Sequence, residues 1–355
     1  MTNTTTTIHE IGTGSCGRVY DLNGSIALKR ARPGQGENLW NDFLMHIKIL
    51  SALRSKAGRT IDVLVPEAKG FLTETNEALW AQLEGEALRD GGGFDEGMPR
   101  MGLLSERILP VEREVREALV GAFCSEAQRE DVRRKRENED CLVRVCLGEV
   151  DAQEEGRASK SVLRRAGTLQ TTFSLRNFPL TLSKLDRAPD ALLDPLTPTH
   201  LARNIAETLA LLHWTAQCDA RDVEFVIGGK GTLSNSAPHC HPPSYEELAA
   251  LPGPTSTITP LFMAAYRRPL HLWLLDFNQV KLITMDEQGV DKAVSAFFDN
   301  KPKYYPRPYS GNEKMEALWK VFKEAYLAKS EDLTDTKLPQ MFIDKVEEKQ
   351  KSRMG

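Results

Sequence analysis

The chain lacks the sequence features of secreted, membrane-spanning and disulfide-bonded proteins. Its six cysteines show no paired CxxC spacing, which argues against a structural zinc site and against a disulfide framework. No apolar run approaches the length that spans a bilayer, and no basic segment followed by an apolar stretch opens the chain. These absences predict a cytoplasmic protein without a membrane partner, in a reducing compartment.

The chain also has little excess charge of either sign. It contains 46 Lys and Arg residues against 50 Asp and Glu residues, a formal net charge of -4. A histone-like binder is excluded, so any contact with nucleic acid must come from a local basic patch. The candidates for such a patch are Arg133, Arg134, Lys135, Arg136, Arg164 and Arg165. Acidic residues follow the first run directly, so a solvated mixed-charge helix is the competing explanation.

Glycines near the amino end follow the pattern of a phosphate-binding hairpin. Gly12, Gly14 and Gly17 with Val19 spell GxGxxGxV, and Lys29 ends an apolar-apolar-Lys triplet ten residues later. Glycines let backbone amides approach phosphates, and a strand lysine supplies the countercharge, as in protein kinases. A coincidental hairpin turn would give the same spacing. We predict strands at residues 8–11, 18–22 and 26–29 around this loop.

The helix that follows lacks the glutamate of the kinase template. Apolar residues recur at helical spacing over residues 38–53, and His46 stands where the template has the glutamate that pairs with the strand lysine. A neutral imidazole cannot replace a carboxylate as the partner of Lys29. The sequence therefore predicts that the kinase ion pair is missing.

The segment from Leu212 to Phe225 is the most informative motif. It reads LHWTAQCDARDVEF where a kinase has HRDLKPEN, so Asp222 falls on the catalytic aspartate. The metal-binding asparagine and the lysine two positions after the aspartate are missing. Three carboxylates, Asp219, Asp222 and Glu224, surround Arg221. They predict either an anionic pocket that binds a cation or accepts a proton, or a solvated acidic turn.

Two further segments match positions that line a kinase cleft. Trp273 to Asn278 resembles the strand and metal-binding turn, with Asp276 in the aspartate position and Asn278 in place of the glycine. Residues 103–108 resemble the strand-to-hinge crossing, which makes Glu106 a candidate for substrate contact. His239-Cys240-His241 lacks the separated ligand pairs of zinc sites, so we predict no metal site.

The order of these motifs predicts an α+β, protein-kinase-like fold of two lobes. We expect a small β-rich lobe over residues 1–106 and a larger, mostly helical lobe over residues 107–355. Residues 228–260, rich in Gly, Ser, Pro and His, are predicted to form an insertion loop, and the tail from about Glu331 to be partly mobile.

Five blocks, GTGSCGRVY, LLSERILPV, FSLRNFPL, HWTAQCDARDVEFVIG and LWLLDFNQV, resemble a fungal family of unknown function that carries a zinc-finger label. Some members of that family are arginine-containing cyclodipeptide synthases. The resemblance implies a tRNA-dependent enzyme that joins an arginyl group and a second aminoacyl group, with charged tRNA as partner and no cofactor. It makes Asp222 the candidate for proton transfer, supported by Asp276, and Glu224 or Asp219 the candidate for guanidinium binding.

Two other functions remain open from the sequence. Lys29, Asp222 and Asp276 would suit an atypical kinase that acts on a small molecule or a protein. The losses from the kinase motifs would also suit a pseudokinase-like binding module without catalysis. No stable protein partner is predicted.

Overall fold

A computed structural model describes residues 8–89, 93–95, 97–151, 173–194, 196–231, 244–258, 270–301 and 303–354. Ten strands are assigned in these ranges: β1 His9–Thr13, β2 Gly17–Asp21, β3 Ile26–Ala31, β4 Ala68–Leu72, β5 Gly102–Glu106, β6 Val143–Cys146, β7 Phe178–Thr181, β8 Glu224–Gly229, β9 Thr257–Ile258 and β10 Leu270–Leu275. The helices are α1 Gly36–Arg54, α2 Glu77–Arg89, α3 Arg113–Phe123, α4 Arg129–Arg134, α5 Leu182–Leu185, α6 Asp190–Leu193, α7 Pro198–Trp214, α8 Tyr245–Ala249, α9 Glu287–Asp299, α10 Glu313–Glu331 and α11 Leu338–Met354.

The amino-terminal part is an antiparallel sheet with the order β1-β2-β3-β5-β4-β9. The glycine loop connects β1 to β2, and β2 pairs with β3 so that Val19 lies opposite Lys29. A Cβ atom on Gly17 would lie 2.5 Å from the Arg30 carbonyl oxygen. A glycine at this position is therefore required for the two strands to approach each other.

Helix α1 places one long face against this sheet. Its buried apolar residues include Leu39, Phe43, Ile47 and Leu50, which follow the helical spacing seen in the sequence. Phe43 contacts Phe71 of β4 with ring centroids 5.6 Å apart. The helix is thereby fixed against β4, and β5 lies between β4 and β3, the strand that carries Lys29.

The carboxyl-terminal part contains a smaller sheet and most of the helices. The sheet has the order β10-β8-β6-β7, and β8 and β10 are an antiparallel pair. Helices α7 and α10 pack beside it around buried aromatic rings, among them Tyr305, stacked on Phe297 at 4.7 Å between centroids. The chain thus has a β-rich amino-terminal sheet and a helical carboxyl-terminal part, and the predicted α+β class is confirmed.

One prediction about loops was wrong, and another stays a prediction. The tail contains α11, which buries Phe342, Ile343 and Val346 at 0% exposure against the other carboxyl-terminal helices, and its partial mobility stays a prediction. The segment 228–260 is not one loop: β8 continues to Gly229, and α8 and β9 lie within it. The polar composition of these segments hid their helices, because a helix needs only one apolar stripe to dock.

The boundary predicted after residue 106 stays a prediction. Strand β5 ends there at Glu106, but β9, from residues 257–258, pairs with β4 and so adds later chain to the amino-terminal sheet. In the part of the chain that the structure describes, no helix is both long and apolar enough to cross a membrane.

Phe342→Ala tests the docking of α11. Because this ring is fully buried, we expect its loss to lower the free energy of unfolding by about 3–5 kcal/mol. Urea denaturation measures the change, with Met354→Ala, at an exposed position of the same helix, as the control. Equal effects of the two variants would contradict a docked helix.

Candidate active site

Lys29 lies between two carboxylates that come from distant parts of the chain. Its Nζ atom is 2.6 Å from Asp42 Oδ2 on α1 and 2.7 Å from Asp276 Oδ1 after β10. Burial alone would lower the pKa of Lys29, but Asp276 and Asp42 outweigh it and raise the pKa well above its ordinary value. The ammonium group is therefore charged at neutral pH and joins the sheet, the helix and the carboxyl-terminal part.

The prediction that α1 offers Lys29 no carboxylate was wrong. Asp42 lies one helical turn before His46, on the same face, and its second oxygen accepts a hydrogen bond from the Phe277 amide at 3.0 Å. His46 is itself buried and donates from Nε2 to the Pro66 carbonyl at 2.6 Å. Burial lowers the pKa of His46, so this ring is a neutral part of the core beside the ion pair.

The pairing of β8 with β10 brings Glu224 beside Asp276. Glu224 opens β8 opposite Leu275, the last residue of β10, and Asp276 follows directly. Asp276 has a φ angle of 64° and Asp222 a φ angle of 60°, which non-glycine residues rarely adopt. The backbone of both turns is therefore strained, as is common at functional sites.

Glu224 is the most perturbed carboxylate of the site. Burial raises its pKa to about 7, against the lowering effect of Arg144, while Asp276 and Asp222 raise it further. Arg144 on β6 makes the direct contact, 2.9 Å from Nη2 to Glu224 Oε1. A carboxylate with a pKa near neutrality can both accept and return a proton.

Asp222 is near Asp276 but is not among the residues that line the cleft. Its backbone amide donates to buried Asn300 Oδ1 at 2.6 Å, and its Oδ2 accepts from the side chain of Gln279. Burial and the neighbouring Asp276 raise its pKa. Among the described residues, Asp222 Oδ1 and Asp276 Oδ2 have no hydrogen-bond partner. Two carboxylate oxygens thus remain free for a ligand.

Asp219 does not line the cleft. Its Oδ1 accepts from the backbone amides of Arg221 and Lys281, at 3.0 and 2.9 Å, and the residue is 4% exposed. Burial raises its pKa, and the two amide bonds act against that rise. Asp219 therefore fixes the turn that carries Asp222. Its Oδ2 lies 3.8 Å from Nε of Arg221, so it faces a guanidinium group of the protein itself and not a ligand in the cleft, contrary to the prediction from sequence.

The cleft has a cavity volume of about 210 Å³. At roughly 10–15 Å³ for each water molecule, it has room for on the order of ten waters and so for a small organic group. Its lining contains five carboxylates and two cations: Asp42, Glu106, Asp140, Glu224 and Asp276, with Lys29 and Arg144. The described lining is therefore net acidic.

The upper wall of the cleft is apolar and carries the glycine loop. Gly12, Gly14 and Gly17 line it with Val19 and Ala27. Glu106 also lines the cleft, but its Oε2 accepts from the Glu67 amide at 3.1 Å, and burial raises its pKa. Glu106 is thus held through one oxygen at the end of β5, where burial favours its neutral form.

The basic candidates do not gather at the cleft. Arg133 pairs with Glu117 at 2.7 Å and Arg134 pairs with Glu130, both on the exposed surface of α3 and α4. Lys135 and Arg136 are exposed after α4, whereas Arg164 and Arg165 lie outside the described residues, as does His239-Cys240-His241. Within the described ranges, no group of three or more His, Cys, Asp or Glu side chains is placed to hold a metal ion.

Two residues of the site were missed from the sequence. Asp42 is the only acidic residue between positions 38 and 53, and its spacing of four from His46 could have shown it. Arg144 had no such signal, because its contact with Glu224 depends on the neighbouring position of β6 and β8 in the sheet.

Comparison with known proteins gives limited matches. Residues 272–338, which are 67 of the 355, match the model of the family DUF3669, described as "Zinc finger protein". No curated protein matches the chain. Among solved structures, a mutant aminoglycoside 2'-phosphotransferase-IIIa in its GDP complex is 10% identical over 98% of this chain and 93% of that one, with a TM-score of 0.21. A TM-score this low carries no structural argument.

Asp42→Asn tests the central ion pair. Since the Asp42 side chain is 3% exposed, removing its charge leaves Lys29 partly unpaired, and we expect the free energy of unfolding to fall by about 3 kcal/mol. Glu117→Gln removes a carboxylate from an exposed pair and should cost less than about 1 kcal/mol. Urea denaturation measures the free energy of unfolding of both variants. If Asp42→Asn lowers it no more than Glu117→Gln does, the Lys29–Asp42 ion pair does not stabilise the fold.

Proposed function

We propose that the acidic cleft joins an arginyl group and a second aminoacyl group, both delivered as tRNA esters, into a cyclic dipeptide. The observation that carries this proposal is the charge at position 224. The kinase template has a lysine two residues after the catalytic aspartate, where it meets phosphate, and this chain has Glu224. A carboxylate there repels phosphate and can accept a proton, which suits aminoacyl transfer better than phosphotransfer.

The reaction needs no phosphate chemistry, because an aminoacyl ester is already activated. The α-amino group of one aminoacyl group attacks the ester carbonyl of the other, an amide bond forms, and the ester bond breaks to release tRNA with a free ribose hydroxyl. The amine proton passes to a carboxylate and from there to the departing oxygen. A second attack, by the remaining amine on the remaining ester, closes the ring and releases the second tRNA.

The geometry favours the reverse of the roles that the resemblance implied, in which Asp222 transferred the proton and Glu224 bound the guanidinium group. Glu224, with its pKa of about 7, suits the proton acceptor, since it is ionised for part of the time at neutral pH. The free oxygens of Asp222 and Asp276 suit the guanidinium group, whose planar fork matches two oxygen atoms. Lys29 holds Asp276 in place for that contact.

Expression of the protein in a bacterial host tests this function directly. We expect mass spectrometry to find an arginine-containing cyclic dipeptide, and Glu224→Gln to reduce it by roughly 10²–10⁴-fold with the fold intact. Asp222→Asn should also abolish the product. Glu74→Gln makes the same chemical change at an exposed position and should leave the yield unchanged. Absence of any cyclic dipeptide, with every second aminoacyl-tRNA supplied, would end the proposal.

The pH dependence gives a second test. Glu224 must be deprotonated to accept a proton, so we expect kcat/KM to rise with pH through about 7. Arg144 lowers the pKa of Glu224, so Arg144→Met should move this rise to higher pH. Arg100→Met, at an exposed arginine paired with Glu84, should leave the midpoint in place. A midpoint that Arg144→Met does not move would exclude Glu224 as the titrating group.

A second candidate function is phosphotransfer by an atypical kinase. The observation in its favour is Lys29, which lies between a helix carboxylate and the aspartate after β10, under a glycine loop, as in the kinase template. This function requires ATP with magnesium to raise the melting temperature of the wild type and not of Lys29→Met. If nucleotide does not change the melting temperature, the kinase function is excluded. Aminoacyl transfer and a binding module without catalysis would then remain as candidates.

A further inference from the structure

A second pocket shares one wall with the acidic cleft. Glu106, the last residue of β5, lines both cavities. The remaining walls come from the end of α1, the segment between α1 and β4, and β10. The cavity volume is about 300 Å³, against about 210 Å³ for the cleft. We call it the apolar pocket, and the residues that define it are Leu50, Leu53, Val63, Val65, Glu106 and Trp273.

Buried apolar side chains form the floor of the apolar pocket. Leu50, Val63, Val65 and Trp273 are all buried. The Nε1 atom of Trp273 already donates to the Gly228 carbonyl at 3.1 Å, so the indole leaves no polar group for a ligand to satisfy. At roughly 10–15 Å³ for each water molecule, the cavity has room for on the order of twenty waters. The floor therefore suits an apolar body of several carbon atoms.

The charges around this floor are mainly positive. Arg54 pairs with Glu67, and both line the pocket. Arg59 donates from Nε to the Arg54 carbonyl at 3.2 Å and caps the end of α1. Among the described residues, neither Arg59 nor Lys230 has a carboxylate within ion-pair distance, and both are exposed. The pocket therefore offers two positive charges that the protein leaves uncompensated.

Glu106 adds a buried acid group to the same pocket. The residue is 4% exposed, and in the described part of the chain only its Oε2 has a hydrogen-bond partner, the Glu67 amide at 3.1 Å. Burial raises the pKa of Glu106, and the Glu67 carboxylate adds to the rise, whereas the Glu67 amide, Lys230 and Lys69 oppose it. Because Oε2 accepts from an amide, the proton of the neutral form lies on Oε1. Glu106 can then donate one hydrogen bond to an acceptor.

These features exclude most classes of ligand. A cation would be repelled by Arg59 and Lys230. A phosphate would lose more hydration on the apolar floor than a singly charged group does. A neutral hydrocarbon would leave Oε1 of Glu106 without a partner. A carboxylate on an aliphatic chain supplies a single negative charge, an acceptor and an apolar body.

We propose that the apolar pocket binds an aliphatic carboxylate, of the chemical class of a free medium-chain fatty acid. One carboxylate oxygen contacts the ammonium group of Lys230, and the other accepts the O–H of Glu106. The aliphatic chain packs on Val63, Val65 and Trp273. This binding does not depend on the reaction in the cleft.

Isothermal titration calorimetry with octanoate tests the inference. We expect the wild type to bind octanoate at least tenfold more tightly than octanol, which lacks the charge, and than acetate, which lacks the chain. Lys230→Ala should weaken octanoate binding by about fivefold, the upper range for an exposed ion pair. Lys320→Ala, at an exposed lysine of α10 outside the pocket, is the matched control. Leu64→Trp places a larger side chain in the pocket and should abolish binding.

The pH dependence of octanoate binding tests the role of Glu106. The O–H exists only in the protonated form, so we expect the affinity to fall as the pH rises through the pKa of Glu106, over a range in which octanoate stays ionised. Glu106→Gln donates from its amide at every pH and should bind octanoate without this dependence. Glu112→Gln, at an exposed position, should keep the dependence of the wild type.

Melting temperatures check that each variant is folded. Failure of the wild type to bind octanoate, equally tight binding of octanol, or equal effects of Lys230→Ala and Lys320→Ala would overturn the inference. Octanoate binding that persists in a folded Leu64→Trp variant, or a pH dependence that Glu106→Gln retains, would do the same. None of these outcomes bears on cyclic dipeptide formation, which is measured separately.

Discussion

The ion pairs of Lys29 hold the structure of the site together. One ammonium group contacts Asp42 on α1 and Asp276 after β10, and Asp42 also accepts the amide of Phe277. The glycine-loop sheet, its helix and the acidic turn therefore share one charge centre. Because all three groups are mostly buried, removing any one leaves a charge without its partner, which is far more expensive than losing the whole set.

This arrangement matches the ion pairs of the kinase template but differs from the template at position 224. The lysine, the helix carboxylate and the turn aspartate are present, and the apolar wall with Val19 and Ala27 lies above them. What differs is the floor, where Glu224 takes the place of a phosphate-binding lysine and contacts Arg144. A scaffold that holds its carboxylates by internal ion pairs can change its reactive group without losing its fold.

Local patterns were enough to predict the glycine-loop hairpin, α1 and β10 from the sequence, because each has a clear apolar period or turn signal. The kinase template also predicted that Asp222 and Asp276 belong to one cleft. Contacts set by the tertiary arrangement could not be found this way. Arg144 lies 80 residues before Glu224 along the chain, yet the two side chains are in contact. Asp219 is acidic, but its Oδ1 already accepts hydrogen bonds from two backbone amides. A residue type shows which interactions a side chain can make, whereas its neighbours in the structure decide which of its atoms are still available to a ligand.

The turn after β10 explains why those neighbours matter for function. Asp276 keeps one oxygen on Lys29 and lies in a cleft whose described lining has five carboxylates and two cations. A cationic group is attracted to such a lining, whereas a nucleoside triphosphate would need magnesium to offset the repulsion between like charges. The charge of the whole lining is therefore a better guide to the class of ligand than any single motif along the chain.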